Sequence, residues 1–172
     1  IINCPADATV ECTQPQGAAV EYAATAVDLV DPTPEVIFDP PSGSTLPLGT
    51  HTVTCTTIDR SGNSATCTFG VTVQDTTDPS VVCPASKNDV ECTSSQGAVV
   101  EFILTASDGC DPMPAASASP PAGSLFPPGT TIVDVEATDA SGNTSHCIFS
   151  VTVADKTPPV LTTPSDVVVE CV

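Results

Sequence analysis

The sequence has very few basic residues: three Lys plus Arg stand against 21 Asp plus Glu, and the formal net charge is −18 at pH 7. Nucleic acids and anionic membrane surfaces attract basic proteins, so neither is expected as a partner. The chain also lacks an apolar run long enough to cross a bilayer, and no membrane insertion is expected. Its acidic residues are spread singly, which is typical of a soluble surface whose charges repel one another.

Aromatic residues and histidines are scarce as well. The chain contains no Trp, one Tyr, five Phe and two His. Sugar binding by ring stacking needs exposed aromatic rings, so it is disfavoured. Two histidines and no Cys-x-x-Cys pair make zinc a poor explanation for the nine cysteines. A disulfide framework, and hence an oxidising compartment, is the better interpretation.

What the sequence does contain is an internal repeat with a period of about 80 residues. Residues 59–63 (Asp-Arg-Ser-Gly-Asn) return at 139–143 (Asp-Ala-Ser-Gly-Asn), and 67–73 (Cys-Thr-Phe-Gly-Val-Thr-Val) return at 147–153 (Cys-Ile-Phe-Ser-Val-Thr-Val). Such a unit is too long for one solenoid turn and suits a small independent domain. The chain is therefore predicted to be a tandem array.

The predicted units are residues 1–78, residues 79–158 and the first strand of a third unit at 159–172, where Val-Glu-Cys appears again. The third piece is interpreted as the start of a normal domain, with a strand donated to a neighbouring molecule as the alternative. The chain lacks an initiating Met and stops within a strand pattern. We therefore expect an internal piece of a longer secreted protein.

Alternation with a period of two residues predicts an all-β fold. Cys67, Phe69, Val71 and Val73 share one strand face, and the second unit repeats this pattern. The Asp-x-Ser-Gly-Asn segment predicts a hairpin turn, because Asp and Asn bond to nearby backbone and Gly accepts a positive φ. Short strands separated by frequent turns predict a β-sandwich in each unit.

These motifs resemble the hyalin repeat (HYR) domain, an immunoglobulin-like module of extracellular proteins. The resemblance rests on an ordered set of motifs: Cys4-Pro5 and Cys83-Pro84, Asp31-Pro32 and Asp111-Pro112, Leu/Phe-Pro-x-Gly-Thr, Asp-x-Ser-Gly-Asn, Cys-x-Phe-x-Val-x-Val and Asp-x-Thr-x-Pro. It covers both units and implies tandem immunoglobulin-like sandwiches stapled by disulfides. The sequence departs from the pattern at Val30, where the second unit has Cys110, and at Thr163, which replaces the Cys of Cys-Pro.

The disulfide pairing cannot be chosen from sequence alone, because four cysteines in a unit allow three pairings. The resemblance implies that each Cys-Pro cysteine meets the cysteine of the last strand, which gives Cys4–Cys67 and Cys83–Cys147. The remaining cysteines then pair as Cys12–Cys55 and Cys92–Cys110. Cys171 is left over, and its partner is expected further along the protein or in another chain.

Two further sites are candidates. Asp75 and Asp78 in the linker between the units could contribute to a calcium site, because calcium takes six to eight oxygen ligands. Turn formation and solubility explain these residues better than calcium binding does, so no cofactor is the main expectation and calcium is the alternative. Asn143-Thr144-Ser145 is an N-glycosylation sequon in a predicted turn.

The expected function is a non-catalytic, extracellular or cell-surface structural and adhesive array, such as a fibre, matrix or stalk component. No Ser-His-Asp order recurs between units and no glycine-rich phosphate loop follows a strand, so the protein is not expected to be an enzyme. Neighbouring repeats of the same protein are the expected partners, including the units of a homopolymer. The alternative is a binding module that recognises a protein or glycan through loops at one end of each sandwich.

Overall fold

A computed structural model describes residues 1–162 and 169–170. The described residues form strands, turns and irregular segments, and none of them is helical. Within this part of the chain no helix is long and apolar enough to cross a membrane. The predicted all-β class is confirmed.

The first unit contains eight strands. They are β1 (Ile2–Asn3), β2 (Ala8–Glu11), β3 (Ala18–Ala19), β4 (Thr25–Ala26), β5 (Glu35–Asp39), β6 (Thr45–Leu46), β7 (Gly49–Ile58) and β8 (Ser64–Gln74). The main sheet has the order β2-β8-β7-β5, with β2 parallel to β8 and the other pairs antiparallel. The short pairs β1–β4 and β3–β6 provide the second layer.

The second unit repeats this arrangement strand by strand. Its strands are β9 (Ser80–Val82), β10 (Lys87–Glu91), β11 (Ala98–Val99), β12 (Thr105–Ser107), β13 (Ala115–Ser119), β14 (Leu125–Phe126), β15 (Gly129–Thr138) and β16 (Thr144–Ala154). The main sheet is β10-β16-β15-β13, and the short pairs are β9–β12 and β11–β14. Equivalent sequences therefore make equivalent sandwiches.

Each core lies between these layers, where the alternating residues of the long hairpin point inward. Phe69, Val71 and Val73 are buried on β8, as their spacing predicts. Phe69 makes edge-to-face contacts with Tyr22 and Phe38, at ring-centroid distances of 5.4 and 6.4 Å. Burial of these apolar side chains supplies the main driving force for folding each unit.

The predicted hairpin turns are present in both units. In the first turn, Asp59 Oδ1 accepts hydrogen bonds from the backbone N–H groups of Ser61 and Asn63, at 2.8 and 2.9 Å. Gly62 follows with a φ of 84°, a conformation that L side chains rarely adopt. Asp139 and Gly142 repeat this geometry in the second unit.

Residues 75–79 connect the units between the end of β8 and the start of β9. The predicted boundary between residues 78 and 79 falls within this linker and stays a prediction. Most of the predicted third-unit strand, including Cys171, lies outside the described residues.

A candidate structural site at the junction of the two units

A disulfide joins the two units directly. Cys12 lies just after β2 of the first unit, and its partner Cys110 lies in the loop between β12 and β13 of the second unit. Both cysteines are buried, with 6% and 9% of their surfaces exposed. The bridge therefore fixes one end of the first sandwich against a loop of the second.

This bridge corrects half of the predicted disulfide set. The bridges Cys4–Cys67 and Cys83–Cys147 agree with the pairing that the HYR resemblance implies. The predicted bridges Cys12–Cys55 and Cys92–Cys110 are wrong, because Cys12 and Cys110 bind each other and leave Cys55 and Cys92 as free thiols. The prediction assumed that every bridge closes within one unit, whereas docking brings cysteines of different units together.

Cys55 lies inside the first core rather than in a bridge. Its side chain is fully buried on β7, and the cross-strand partner is Cys67 of β8. Burial raises the pKa of the Cys55 thiol, which disfavours the reactive thiolate. The second unit has Val135 at the equivalent position, so this thiol acts as a small apolar side chain.

The loop that carries Cys110 is shaped by a neighbouring carboxylate. Asp108 Oδ1 accepts hydrogen bonds from the backbone N–H groups of Cys110 and Asp111, at 2.7 and 2.8 Å. In the first unit Asp28 makes the same two bonds to the N–H groups of Val30 and Asp31, at 2.9 and 2.8 Å. The loop therefore has one shape in both units, whether residue 110 or its equivalent is Cys or Val.

Asp75 of the linker connects the first unit to the hairpin turn of the second. Its Oδ2 accepts a hydrogen bond from the Ser141 hydroxyl at 3.0 Å, and its backbone carbonyl accepts one from Asn143 Nδ2 at 3.2 Å. Oδ1 accepts a third from the Thr77 N–H at 3.3 Å. Only 9% of Asp75 is exposed, and the bonds from Ser141 and Thr77 satisfy a carboxylate that would be costly to bury alone.

Glu11 holds the rest of the linker against the first unit. Its carboxylate accepts hydrogen bonds from the backbone N–H of Thr76 and from the Thr76 and Thr77 hydroxyls. The bond from the Thr76 backbone has the largest effect on the pKa of Glu11. Because it outweighs the opposing effect of burial, this pKa lies below its ordinary value. Glu11, the last residue of β2, therefore binds the linker, and the adjacent Cys12 binds the next unit.

In the described part of the chain, the candidate calcium ligands Asp75 and Asp78 are not members of one group of three or more potential ligand residues. A carboxylate oxygen of Asp75, a carboxylate oxygen of Asp108 and the Cys110 sulfur all lie within 4.8 Å of one another. The Cys110 sulfur is already committed to the disulfide, and Asp78 is an exposed residue outside that group. A calcium site at Asp75 and Asp78 stays a prediction.

The sequon residue Asn143 belongs to the junction. Its Nδ2 donates hydrogen bonds to the Asp139 carboxylate at 2.8 Å and to the Asp75 carbonyl at 3.2 Å. An N-linked glycan would attach to this same nitrogen, so glycosylation would compete with a contact between the units. Glycosylation of Asn143 also stays a prediction.

The sequence interpretation missed several junction residues, namely Glu11, Asp108 and Ser141. A usable signal was present: Val-Glu-Cys recurs at the same place in every unit, although Cys110 and Cys55 do not recur. A residue pair repeated in every unit indicates a contact common to every junction.

Comparison with known proteins identifies the modules. The sequence model of the HYR domain matches residues 1–73 and 74–153. The chain belongs to the HYR domain family. Hyalin from Strongylocentrotus purpuratus is 36% identical over 156 residues, which cover 87% of this chain and 12% of hyalin. Hyalin from Lytechinus variegatus is 34% identical, with 72% of this chain and 24% of that protein covered.

A rat protein is also similar: the sushi, von Willebrand factor type A, EGF and pentraxin domain-containing protein 1 of Rattus norvegicus. It is 33% identical over 64% of this chain and 3% of its own length. Among solved structures, human protocadherin-24 EC1-2 aligns with a TM-score of 0.41 and 20% identity, covering 87% of this chain and 95% of that chain. This HYR chain spans less than a quarter of the length of each of the three curated relatives named here.

Family membership confirms the predicted immunoglobulin-like fold and the extracellular or cell-surface location. It also supports the coarse functional prediction of an adhesion-type, non-catalytic module.

Proposed function

We propose that this chain is a stiff segment of an extracellular array of HYR units, acting as a spacer or structural element. One observation carries the proposal: Cys12 and Cys110 join consecutive units covalently. A flexible tether between two domains would need only the linker, whereas a bridge beside the linker gives the units a second connection. Two connections restrict how the units can bend and turn about each other.

Hydrogen bonds at the junction support the same role. Ser141 and Asn143 of the second unit bond to Asp75, and Glu11 binds the linker. The linker itself contains Pro79, which is fully buried, and Pro fixes φ. Together these contacts favour one orientation of the units.

A loop-based binding module is the other candidate for this chain. The loop at residues 27–30 exposes Val27, Leu29 and Val30, with 68%, 100% and 87% of their surfaces accessible. However, the equivalent loop of the second unit is the one that docks on the first unit through Cys110. The exposed apolar loop is therefore better explained by contact between units than by a separate ligand.

Small-angle X-ray scattering of the chain under oxidising conditions tests the spacer. We expect the scattering curve to match one fixed arrangement of the two units. The variant Cys110→Val keeps the loop shape seen at Val30 but removes the bridge, and it should require a broader set of orientations. Cys92→Val is the matched control, because Cys92 is a free thiol and its loss should leave the curve unchanged.

Two results would overturn the proposal. One is a wild-type curve that needs many orientations although mass spectrometry finds the Cys12–Cys110 bridge. The other is the same broad ensemble for the control as for Cys110→Val.

A further inference from the structure

The far end of the second unit has the same chemistry as the end of the first unit that receives Cys110. We propose that Cys92 forms a disulfide with a cysteine in the loop of the HYR unit that follows residue 158. This inference rests on the proposed array and names the partner of one of its surfaces. The partner is a further unit of this chain with the Asp-x-Cys-Asp-Pro loop found at residues 108–112.

The second linker already makes the hydrogen bonds of the first. Glu91 accepts hydrogen bonds from the Lys156 N–H at 3.0 Å and from the Thr157 hydroxyl at 2.9 Å, as Glu11 does from Thr76 and Thr77. The N–H of Thr157 donates to Asp155 Oδ1 at 3.0 Å. The end of the second unit is therefore prepared for docking in the same geometry.

Equivalent residues at the ends of the two units differ in exposure. Cys12 and Asp75 are buried at 6% and 9% exposure, because the second unit covers them. Their equivalents are the half-buried Cys92 and the exposed Asp155. Residues with the same backbone hydrogen bonds but different exposure mark the surface that a following unit would cover.

That surface is concave. Cys92 opens into a hollow of about 530 Å³. Its other lining residues are Thr93, Ser94, Ser95, Pro128, Asp155 and Thr157. Asp155 is equivalent to Asp75 at the end of the first unit. A carboxylate oxygen of Asp75 lies within 4.8 Å of a carboxylate oxygen of Asp108 and of the Cys110 sulfur, both in the docked loop. The hollow therefore lies where the equivalent loop of a third unit would dock.

Formation of this bridge is an oxidation. The Cys92 thiol and the thiol of the following unit together lose two protons and two electrons, and one S–S bond forms. A disulfide-bearing oxidant such as oxidised glutathione accepts them, its own S–S bond breaks, and two thiols are released. Oxidising extracellular conditions preserve the product.

The second unit can itself serve as the following unit in a direct test. Residues 1–158 are joined to a further copy of residues 79–158, which keeps the Pro-Pro sequence of the natural linker. In the added copy, Met113→Leu and Ser95→Thr serve as mass tags at exposed positions. The chain is refolded with reduced and oxidised glutathione, alkylated without denaturant and cleaved after Glu. Residues 92–101 and 102–136 are then separate peptides, and mass spectrometry distinguishes each copy.

We expect the untagged 92–101 peptide to be linked to the tagged 102–136 peptide and to be protected from alkylation. The tagged 92–101 peptide, whose cysteine has no following unit, should be alkylated in the same sample. With Cys110→Val in the added copy, Cys92 of the original unit should become alkylated, because the loop keeps its shape but carries no thiol.

Complete alkylation of the original Cys92 beside an intact Cys110 in the added copy would overturn the inference. So would a bridge from Cys92 to any other cysteine. If the Cys12–Cys110 bridge forms in that same chain, the proposed spacer stands and only the inference about Cys92 fails. Absence of both bridges would remove the basis of the spacer as well.

Discussion

Replacing Cys110 by Val should lower the stability of the two-unit chain substantially, because it removes the only described covalent connection between the units besides the linker. Val is the natural choice, since Val30 occupies the equivalent position of the first unit with the same backbone bonds to the preceding Asp. The loop should keep its conformation. Any loss can then be assigned to the bridge.

The size of the effect follows from the length of chain that the bridge closes. Cys12 and Cys110 are 98 residues apart in sequence. The bridge Cys4–Cys67 already shortens the covalent path between them to about 50 residues. Loop-closure entropy for that path corresponds to about 4 kcal/mol of the free energy of unfolding, if the bridge is unstrained. For a chain of this size, the melting temperature would fall by roughly 10 °C.

Differential scanning calorimetry without reductant, together with guanidinium unfolding, measures this change. Cys55→Val is the matched control: it replaces a buried thiol by the residue that the second unit has at Val135, and similar-sized apolar exchanges cost less than about 1.5 kcal/mol. The two variants differ in whether they break a bridge. A loss below about 1 kcal/mol for Cys110→Val, or equal losses for both variants, would show that the bridge does not supply this stability.

Three further predictions concern the acidic residues and the sequon. Hydrogen bonds from Asn63 lower the pKa of Asp59, and at Asp139 burial raises the pKa but the turn's hydrogen bonds outweigh it. The free energy of unfolding that these two carboxylates contribute should be complete above the ordinary Asp pKa of 3.8. It should be lost as the pH falls through their lower pKa values in the folded state. A melting temperature that does not change below pH 3.8 would contradict this. A chelator should leave the melting temperature unchanged, because chain donors already bond to the carboxylate of Asp75; a fall that added calcium reverses would instead support the site with Asp78. Protein secreted from a eukaryotic cell with a glycan at Asn143 should melt at a lower temperature than the protein without the glycan, because the glycan competes with the bonds that Nδ2 donates in the junction; equal melting temperatures would contradict this.

The sandwich could be predicted from sequence because its signals are local. Alternation in β8 places Phe69, Val71 and Val73 on one face, and burial of that face follows from a period of two residues. The Asp-x-Ser-Gly-Asn turn likewise depends on bonds between residues at most four positions apart. Neither signal needs knowledge of how one unit meets the next.

The junction could not be predicted in the same way, because its contacts join residues that are far apart in sequence. Asp75 meets Ser141 across 66 positions, and no residue pattern near either one requires the contact. Turn formation accounts for Asp108 within its own loop. Its second role, which is to present Cys110 to the preceding unit, appears only when the units are docked.

The cysteines show which assumption failed. Closing every bridge within a unit required Cys12 to find a strand residue, Cys55, while Cys92 found a loop residue, Cys110. Two equivalent positions would then have needed two different geometries in nearly identical sandwiches. A link from each unit to the next needs only one geometry, repeated at each junction whose second unit has a cysteine in its loop. Val30 marks a loop without that cysteine, so within one array some junctions can be covalent and others can depend on packing and hydrogen bonds alone.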